Sequence, residues 1–258
     1  MHTHSPDLKR TLLNKVPEVT IFFWLIKVMA TTVGETAADF LSVDLHLGLT
    51  GTSWVMGVLL LAALGAQLRA RQYVPWRYWI TVVLVSIFGT LVTDNLVDTL
   101  GVSLEATTVA FTIALAGSFA LWYASERTLS IHTIFTRRRE LFYWAAILFT
   151  FALGTAAGDL LAEGLDLGYG ISAATFGALI LAITVAFYRF RLNGILAFWM
   201  AYVLTRPFGA SCGDLLSQPT GQGGLGLGTV GTSALFLATI VGLVLWLTLS
   251  QPRPRQLA

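Results

Sequence analysis

Charged residues are scarce in this sequence of 258 residues. Asp, Glu, Lys and Arg make up 12% of it, whereas a typical soluble domain contains about 25%. Hydrophobic residues make up 55%. A chain with so little charge cannot cover its surface with groups that bind water, so a soluble globular protein is excluded.

Cysteine and histidine are also rare. The single cysteine, Cys212, excludes an internal disulfide and a thiolate metal cluster. The four histidines fall in predicted tails and loops, and we expect them to be surface residues. We identify no cleavable signal peptide, because the first apolar run, Val19–Ala38, is longer than the hydrophobic region of a signal peptide and contains Lys27 and Glu35. We therefore expect the first span to be retained.

Long apolar runs fill the sequence instead. With their flanking residues, most of these runs are about 20 residues long, which is the length needed to cross about 30 Å of hydrocarbon. The runs are Val19–Ala38, Trp54–Ala66, Ile80–Val92, Val109–Ala124, Leu141–Ala157, Ala173–Phe187, Ile195–Ala210 and Ser233–Leu249. The predicted fold is an all-α polytopic membrane protein with eight transmembrane helices, and residues 1–258 form a single membrane domain.

The loops on one side of these spans hold the basic residues. Of the 16 Lys and Arg, 14 lie on that side, and the other two, Lys27 and Arg206, lie inside spans. The opposite loops contain acidic residues and no base. By the positive-inside rule both termini are predicted to be cytoplasmic. Because the basic residues flank spans, we expect the lipid bilayer as a partner and no nucleic acid.

One motif, [FY]-W-x9-G-x4-D-x-L, occurs four times. Its Trp, Gly and Asp are Trp24, Gly34 and Asp39; Trp79, Gly89 and Asp94; Trp144, Gly154 and Asp159; and Trp199, Gly209 and Asp214. The repeats extend over about 17–70, 75–125, 140–190 and 195–250. Because each has two spans, all four should share one orientation around a pseudo-fourfold axis along the membrane normal.

With this motif the chain resembles a family of bacterial membrane proteins made of four tandem repeats of unknown function. Each repeat in that family has two transmembrane segments and a characteristic tryptophan. The resemblance covers residues 17–250, and the fourth repeat departs from the others in its longer Gly-rich outer loop (218–228). It implies a location in the bacterial inner membrane and says little about activity.

The motif tryptophans are expected to anchor the helices at the membrane interface, and the glycines to allow close helix approach. The aspartates are more informative, because a carboxylate at depth costs about 2.5–3.5 kcal/mol and usually faces a water-filled pathway. A structural role, in which each Asp bonds a hydroxyl at the start of the next helix, is one interpretation. The other is a shared cation site made by Asp39, Asp94, Asp159 and Asp214, which suits a hard metal ion.

Two further charges lie in the same spans. Glu35 is one helical turn from Asp39, and Arg206 is eight residues before Asp214. We predict a buried ion pair between Glu35 and Arg206, which would tune the charge of the site. Lys27 is expected to extend to the cytoplasmic surface.

The sequence therefore favours an inner-membrane cation transporter or channel, and we expect its ion to be a hard divalent metal. Proton coupling through the carboxylates is a further hypothesis. The predicted ion-binding residues are Asp39, Asp94, Asp159, Asp214, Glu35 and Arg206, without a cofactor. The first alternative is a non-transporting scaffold or stress-associated protein with structural aspartates. An intramembrane enzyme is the weaker alternative, because Ser211 and Cys212 have no histidine nearby; we therefore predict no enzymatic activity.

Overall fold

A computed structural model describes residues 14–250, so Lys9, Arg10, Arg253 and Arg255 of the predicted basic side lie outside it. Within the described residues the chain is helical and contains no β-strand. The eight long helices are α1 (Ile21–Asp39), α2 (Gly48–Leu68), α3 (Pro75–Asp94), α4 (Leu104–Glu126), α5 (Arg137–Asp159), α6 (Gly168–Phe190), α7 (Gly194–Ser217) and α8 (Gly228–Ser250). The prediction of an all-α chain with eight long helices is confirmed.

Seven of the eight helices are long and apolar enough to cross a membrane, which suggests a multi-pass membrane protein. The exception is α7. It contains Arg206 and Pro207, whose low hydropathy offsets the apolar residues around them.

Local sequence explains where the first helix of each repeat begins. The side chains of Thr20, Thr136 and Asn193 accept hydrogen bonds from backbone N–H groups in the first turns of α1, α5 and α7. This is the ordinary role of a Thr or Asn that precedes a helix. Helix α3 begins with Pro75, whose fixed φ and missing N–H suit a first helical position.

The helices pack in two shells. Helices α1, α3, α5 and α7, the first helix of each repeat, form an inner ring in which α1 contacts α3, α3 contacts α5, α5 contacts α7, and α7 contacts α1. Each second helix packs outside the first helix of the following repeat: α2 on α3, α4 on α5, α6 on α7, and α8 on α1. Every repeat is therefore held by its neighbours on both sides.

Glycine makes the inner ring close-packed. A Cβ built on the motif glycine would collide with the residue that lies seven positions after the motif Trp in the neighbouring repeat. Gly34 meets Ser86, Gly89 meets Phe151, Gly154 meets Arg206, and Gly209 meets Thr31. Close helix approach, predicted for these glycines, is confirmed.

The motif tryptophans have a different role from the one predicted. The indole rings of Trp79, Trp144 and Trp199 are at most 4% exposed, and Trp24 is half-buried. Each ring contacts the aromatic residue that precedes the Trp of the neighbouring repeat, with centroids 5.5–6.2 Å apart. The pairs are Phe23–Trp79, Tyr78–Trp144, Tyr143–Trp199 and Phe198–Trp24. The prediction of interface anchors is wrong for the three buried tryptophans, because packing between repeats turns them inward.

Candidate functional site

The four motif aspartates lie where the helices of the inner ring end. Asp39, Asp94 and Asp159 are the last α-helical residues of α1, α3 and α5, and each is followed by one π-helical turn. These turns are Phe40–Asp44, Asn95–Thr99 and Leu160–Gly164. In the fourth repeat α7 continues past Asp214 to Ser217 without such a turn. Single π-helical turns occur frequently at functional sites.

The predicted acids lie at one end of the inner ring. Glu35, Thr90 and Thr155 all bond to Arg206, and each lies four residues, about one helical turn, before the motif Asp of its helix. On α7, Gly213 beside Asp214 packs against Glu35. We call Glu35, Asp39, Asp94, Asp159 and Asp214 the acidic cluster. The end of the bundle where it lies is the acidic end, and the end with the arginine-rich loops is the basic end.

Hydrogen bonds to the aspartates are few in the described residues. Asp39 accepts one from the Gln218 amide at 3.4 Å. The structural interpretation offered seven hydroxyls as donors: Thr52, Ser53, Thr107, Thr108, Thr175, Thr232 and Ser233. Ser53 and Thr175 bond to carbonyls of their own helices, and Ser233 bonds to Thr36 at 2.6 Å. The other four have no hydrogen-bond partner within residues 14–250. These hydroxyls therefore do not neutralise the aspartates.

Four buried hydroxyls occupy equivalent positions at the start of the second helices, and three of them were predicted as possible donors to the aspartates. Thr52, Thr107 and Ser172 follow the motif Asp by thirteen residues, and Thr232 holds the same place after the longer fourth loop. All four are at most 1% exposed. Among residues 14–250, the hydroxyls of Thr52, Thr107 and Thr232 have no hydrogen-bond partner. Sequence reasoning missed Ser172, which the shared spacing of thirteen residues from the motif Asp could have identified.

The predicted ion pair between Glu35 and Arg206 is present. Arg206 Nη2 lies 2.8 Å from Glu35 Oε2, and both side chains are buried. Arg206 also donates to the hydroxyls of Thr90 and Thr155, the latter at 2.7 Å, and to the carbonyl of Thr31 at 3.2 Å. One guanidinium on α7 thus bonds to α1, α3 and α5, joining all four repeats.

Three of the residues that Arg206 contacts occupy equivalent positions in their repeats. Glu35, Thr90 and Thr155 each lie eleven residues after the motif Trp, where the fourth repeat has Ala210. Thr90 was not singled out by sequence reasoning. Its distance from Trp79 was the available signal, because a polar residue recurs there in three of the four repeats.

Lys27 does not reach the surface, contrary to prediction. It is 0% exposed, and its Nζ donates to the Tyr202 carbonyl at 3.2 Å. The ammonium also lies 4.4 Å from the Tyr202 ring centroid and 4.8 Å from that of Phe151. Helix α7 covers Lys27 on this side, so its side chain has no open path along the helix to water.

The residues that predicted a metal site are together but do not form a metal centre in this conformation. Within residues 14–250, no three His, Cys, Asp or Glu side chains are grouped closely enough to hold a metal ion. Metal binding by Asp39, Asp94, Asp159 and Asp214 stays a prediction. What the arrangement provides is a set of carboxyl groups at the acidic end, one of which, Glu35, is paired with Arg206.

A second buried ion pair closes the basic end. Lys15 Nζ lies 2.6 Å from Glu140 Oε2 and donates to the Leu68 carbonyl at 3.3 Å. Gln67 donates to the other oxygen of Glu140 at 3.2 Å. The segment before α1 is therefore fastened to α2 and α5 across the end of the bundle.

Comparison with known proteins gives one family. The family described as Repeat of Unknown Function (DUF347) matches the chain four times in succession, at residues 22–73, 77–128, 142–193 and 197–252. No curated protein and no solved structure matches the chain. Since these four matches cover most of the sequence and each contains one Trp–Gly–Asp motif, the chain belongs to the family of Repeats of Unknown Function (DUF347).

Proposed function

We propose that this protein is a cation transporter of the bacterial inner membrane, with both termini cytoplasmic. The four repeats surround a pseudo-fourfold axis, and the acidic cluster binds a small inorganic cation, preferably a hard divalent ion. One observation carries the proposal: Arg206 on α7 bonds to Glu35, Thr90 and Thr155 on the other three inner helices, and the motif Asp of each of those helices lies about one turn beyond these contacts.

Charge balance supports a cation. The inner helices contain the five acids of the acidic cluster against two buried bases, Lys27 and Arg206, which leaves an excess of three negative charges when all are ionised. Acidic side chains at membrane depth need compensation and commonly mark ion pathways. A bound divalent cation compensates most of this negative charge. When no cation is bound, protons on the carboxylates compensate it.

The filled centre of the bundle favours a carrier over an open channel. Between the acidic end and the basic end, the large side chains of Arg206, Lys27, Tyr202, Tyr143 and Tyr78 are all 0% exposed. A cation at the acidic cluster therefore meets packed side chains further along the axis. Passage requires a change in helix packing, as in alternating access by repeats.

Flux measurements on purified protein in liposomes test this proposal. Asp94→Asn and Asp159→Asn each remove one carboxylate of the acidic cluster while keeping the side-chain shape. We expect uptake of Mn²⁺, Mg²⁺ or Ca²⁺ by the wild type and at least a tenfold loss in both variants. Asp166→Asn is the matched control, because Asp166 is exposed in a loop and has a positive φ that Asn tolerates.

A non-transporting scaffold is the second candidate. It is favoured by the lack of a grouped metal centre in the described residues and by the interlocked contacts between repeats. In that case no liposome accumulates the three ions, and the Asp94 and Asp159 variants lose folded protein instead of flux. Size-exclusion profiles of all variants in detergent separate this result from a loss of transport.

A further inference from the structure

An apolar groove opens at the basic end between α4 and α7. Its volume is about 620 Å³, and its lining is almost entirely apolar. The apolar side chains include Phe119, Tyr123, Trp199, Met200, Val203 and Leu204. From Ile195 to Leu204 the groove follows α7 for about 14 Å, at about 1.5 Å per residue. One membrane leaflet has about 15 Å of hydrocarbon, half of a core about 30 Å thick, so the groove has the length and the lining that suit an acyl chain.

Arg127 lines this groove where it meets the basic end. It directly follows the last residue of α4, and its side chain is exposed. No carboxylate of residues 14–250 lies within 4.0 Å of its guanidinium. The neighbouring acid, Glu126, pairs instead with Arg139 at 2.7 Å and with Arg138 at 3.7 Å. The groove therefore ends at a cation to which the described residues give no acid partner.

A partner for this surface needs a hydrocarbon part with an anionic group beside it. An arginine guanidinium binds phosphate oxygens through two parallel hydrogen bonds, and basic residues at the cytoplasmic surface of a membrane attract anionic lipids. A second copy of the chain in the same orientation fits less well. It would bring its own arginine-rich loops to the same depth, where like charges repel. An anionic phospholipid meets both requirements.

We propose that the groove between α4 and α7 binds one anionic phospholipid of the cytoplasmic leaflet. The phosphate contacts Arg127, and an acyl chain lies along α7 towards Leu204. The lipid fills the space that α4 of the second repeat and α7 of the fourth leave open between them. This inference rests on the membrane location and the cytoplasmic basic end of the proposed function, and not on cation transport.

Native mass spectrometry of the full-length protein in detergent micelles measures this binding directly. Phosphatidylglycerol is the anionic probe, and phosphatidylcholine with the same acyl chains is the zwitterionic reference. We expect the wild type to bind one phosphatidylglycerol about fivefold more tightly than phosphatidylcholine, which is the ratio that one basic residue near a membrane surface supplies.

Two arginines at equivalent helix ends provide matched variants. Arg127 follows α4 and Arg191 follows α6, both are exposed, and both have a positive φ, of 55° and 54°. Of the two, only Arg127 lines the groove. Asn tolerates this φ and removes the charge. Arg127→Asn should therefore lose the preference for phosphatidylglycerol, and Arg191→Asn should keep the fivefold ratio of the wild type.

Met200→Trp tests the position of the acyl chain. Met200 lines the groove and is 42% exposed, so a larger ring there fills the groove and not the core of the bundle. This variant should bind both lipids more weakly than the wild type, with an unchanged size-exclusion profile.

The outcomes are distinct. Equal binding of the two lipids by the wild type, an unchanged preference in Arg127→Asn, or unchanged binding in Met200→Trp would each overturn the proposal. A wild-type dimer that Met200→Trp converts to a monomer would also overturn it and assign the groove to a second copy of the chain. Cation flux in liposomes is a separate measurement, so failure of the lipid site leaves the proposed transport intact, and absence of flux leaves the lipid site intact.

Discussion

Gly89 offers a quantitative test of the interlocked inner ring. It lies within α3 and faces α5, where a Cβ would be 2.7 Å from Phe151 Cβ, 3.2 Å from the Ala152 nitrogen and 3.3 Å from the Phe151 carbonyl carbon. These are a Cβ and backbone atoms, which cannot turn away by rotating a side chain. Gly89→Ala must therefore push α3 and α5 apart.

The expected loss of stability in Gly89→Ala follows from a comparison with Gly242→Ala. Gly242 lies within α8, is exposed, and has open space where a Cβ would be. Both substitutions should stabilise the helix by about 1 kcal/mol, because Ala is preferred over Gly inside a helix. Only Gly89→Ala carries the cost of overpacking, which is about 1–3 kcal/mol. The difference between the two free energies of unfolding isolates that cost.

Unfolding of the purified protein by increasing SDS in detergent micelles, followed by tryptophan fluorescence, measures both variants. We expect Gly89→Ala to be about 1–3 kcal/mol less stable than Gly242→Ala. Phe151→Leu should not rescue Gly89→Ala, because the obstructing Cβ remains. Equal stability of the two glycine variants would refute the close approach of α3 and α5.

The two buried ion pairs give the remaining predictions. Glu35→Gln and Arg206→Met should each destabilise the protein by about 3–5 kcal/mol, because each leaves an uncompensated buried charge. The double variant should lose less stability than the sum of the two single variants. Additive losses in this double-mutant cycle would contradict the pairing. Lys15→Met should destabilise the protein by a similar amount, because it leaves Glu140 buried without its partner. Glu126 pairs with Arg139 at a more exposed place, where the two side chains are 15–18% exposed. Glu126→Gln should therefore cost at most about 1 kcal/mol. The same unfolding assay compares them, and equal losses at Lys15 and Glu126 would show that burial of the first pair is unimportant.

Much of the architecture could be predicted because it depends on local sequence. The apolar runs predicted eight long helices, and all eight are present, although Arg206 and Pro207 leave α7 less apolar than the rest. The pairing of Glu35 with Arg206 was predicted because two opposite charges deep in an apolar bundle have few other partners.

Predictions about single side chains failed where the environment comes from distant helices. Trp79 has the amphipathic ring of an interface residue, and Lys27 has the length to reach the surface, but both are buried by neighbouring repeats. Thr90 looked ordinary in the sequence, yet it bonds to Arg206, which is 116 residues away in the chain. None of these contacts leaves a trace in local composition.

The sequence by itself determined the helices, their fourfold repetition and the presence of one acid per repeat, because helix formation and hydropathy depend on residues within a few turns. Only the tertiary structure decided that each motif glycine receives a side chain from the following repeat, that one arginine joins all four repeats, and that Lys27 has no acid partner among residues 14–250. Helical periodicity fixes the direction in which a side chain leaves its own helix. What it meets there is set by helices 50 residues or more away, whose positions follow from packing of the whole ring.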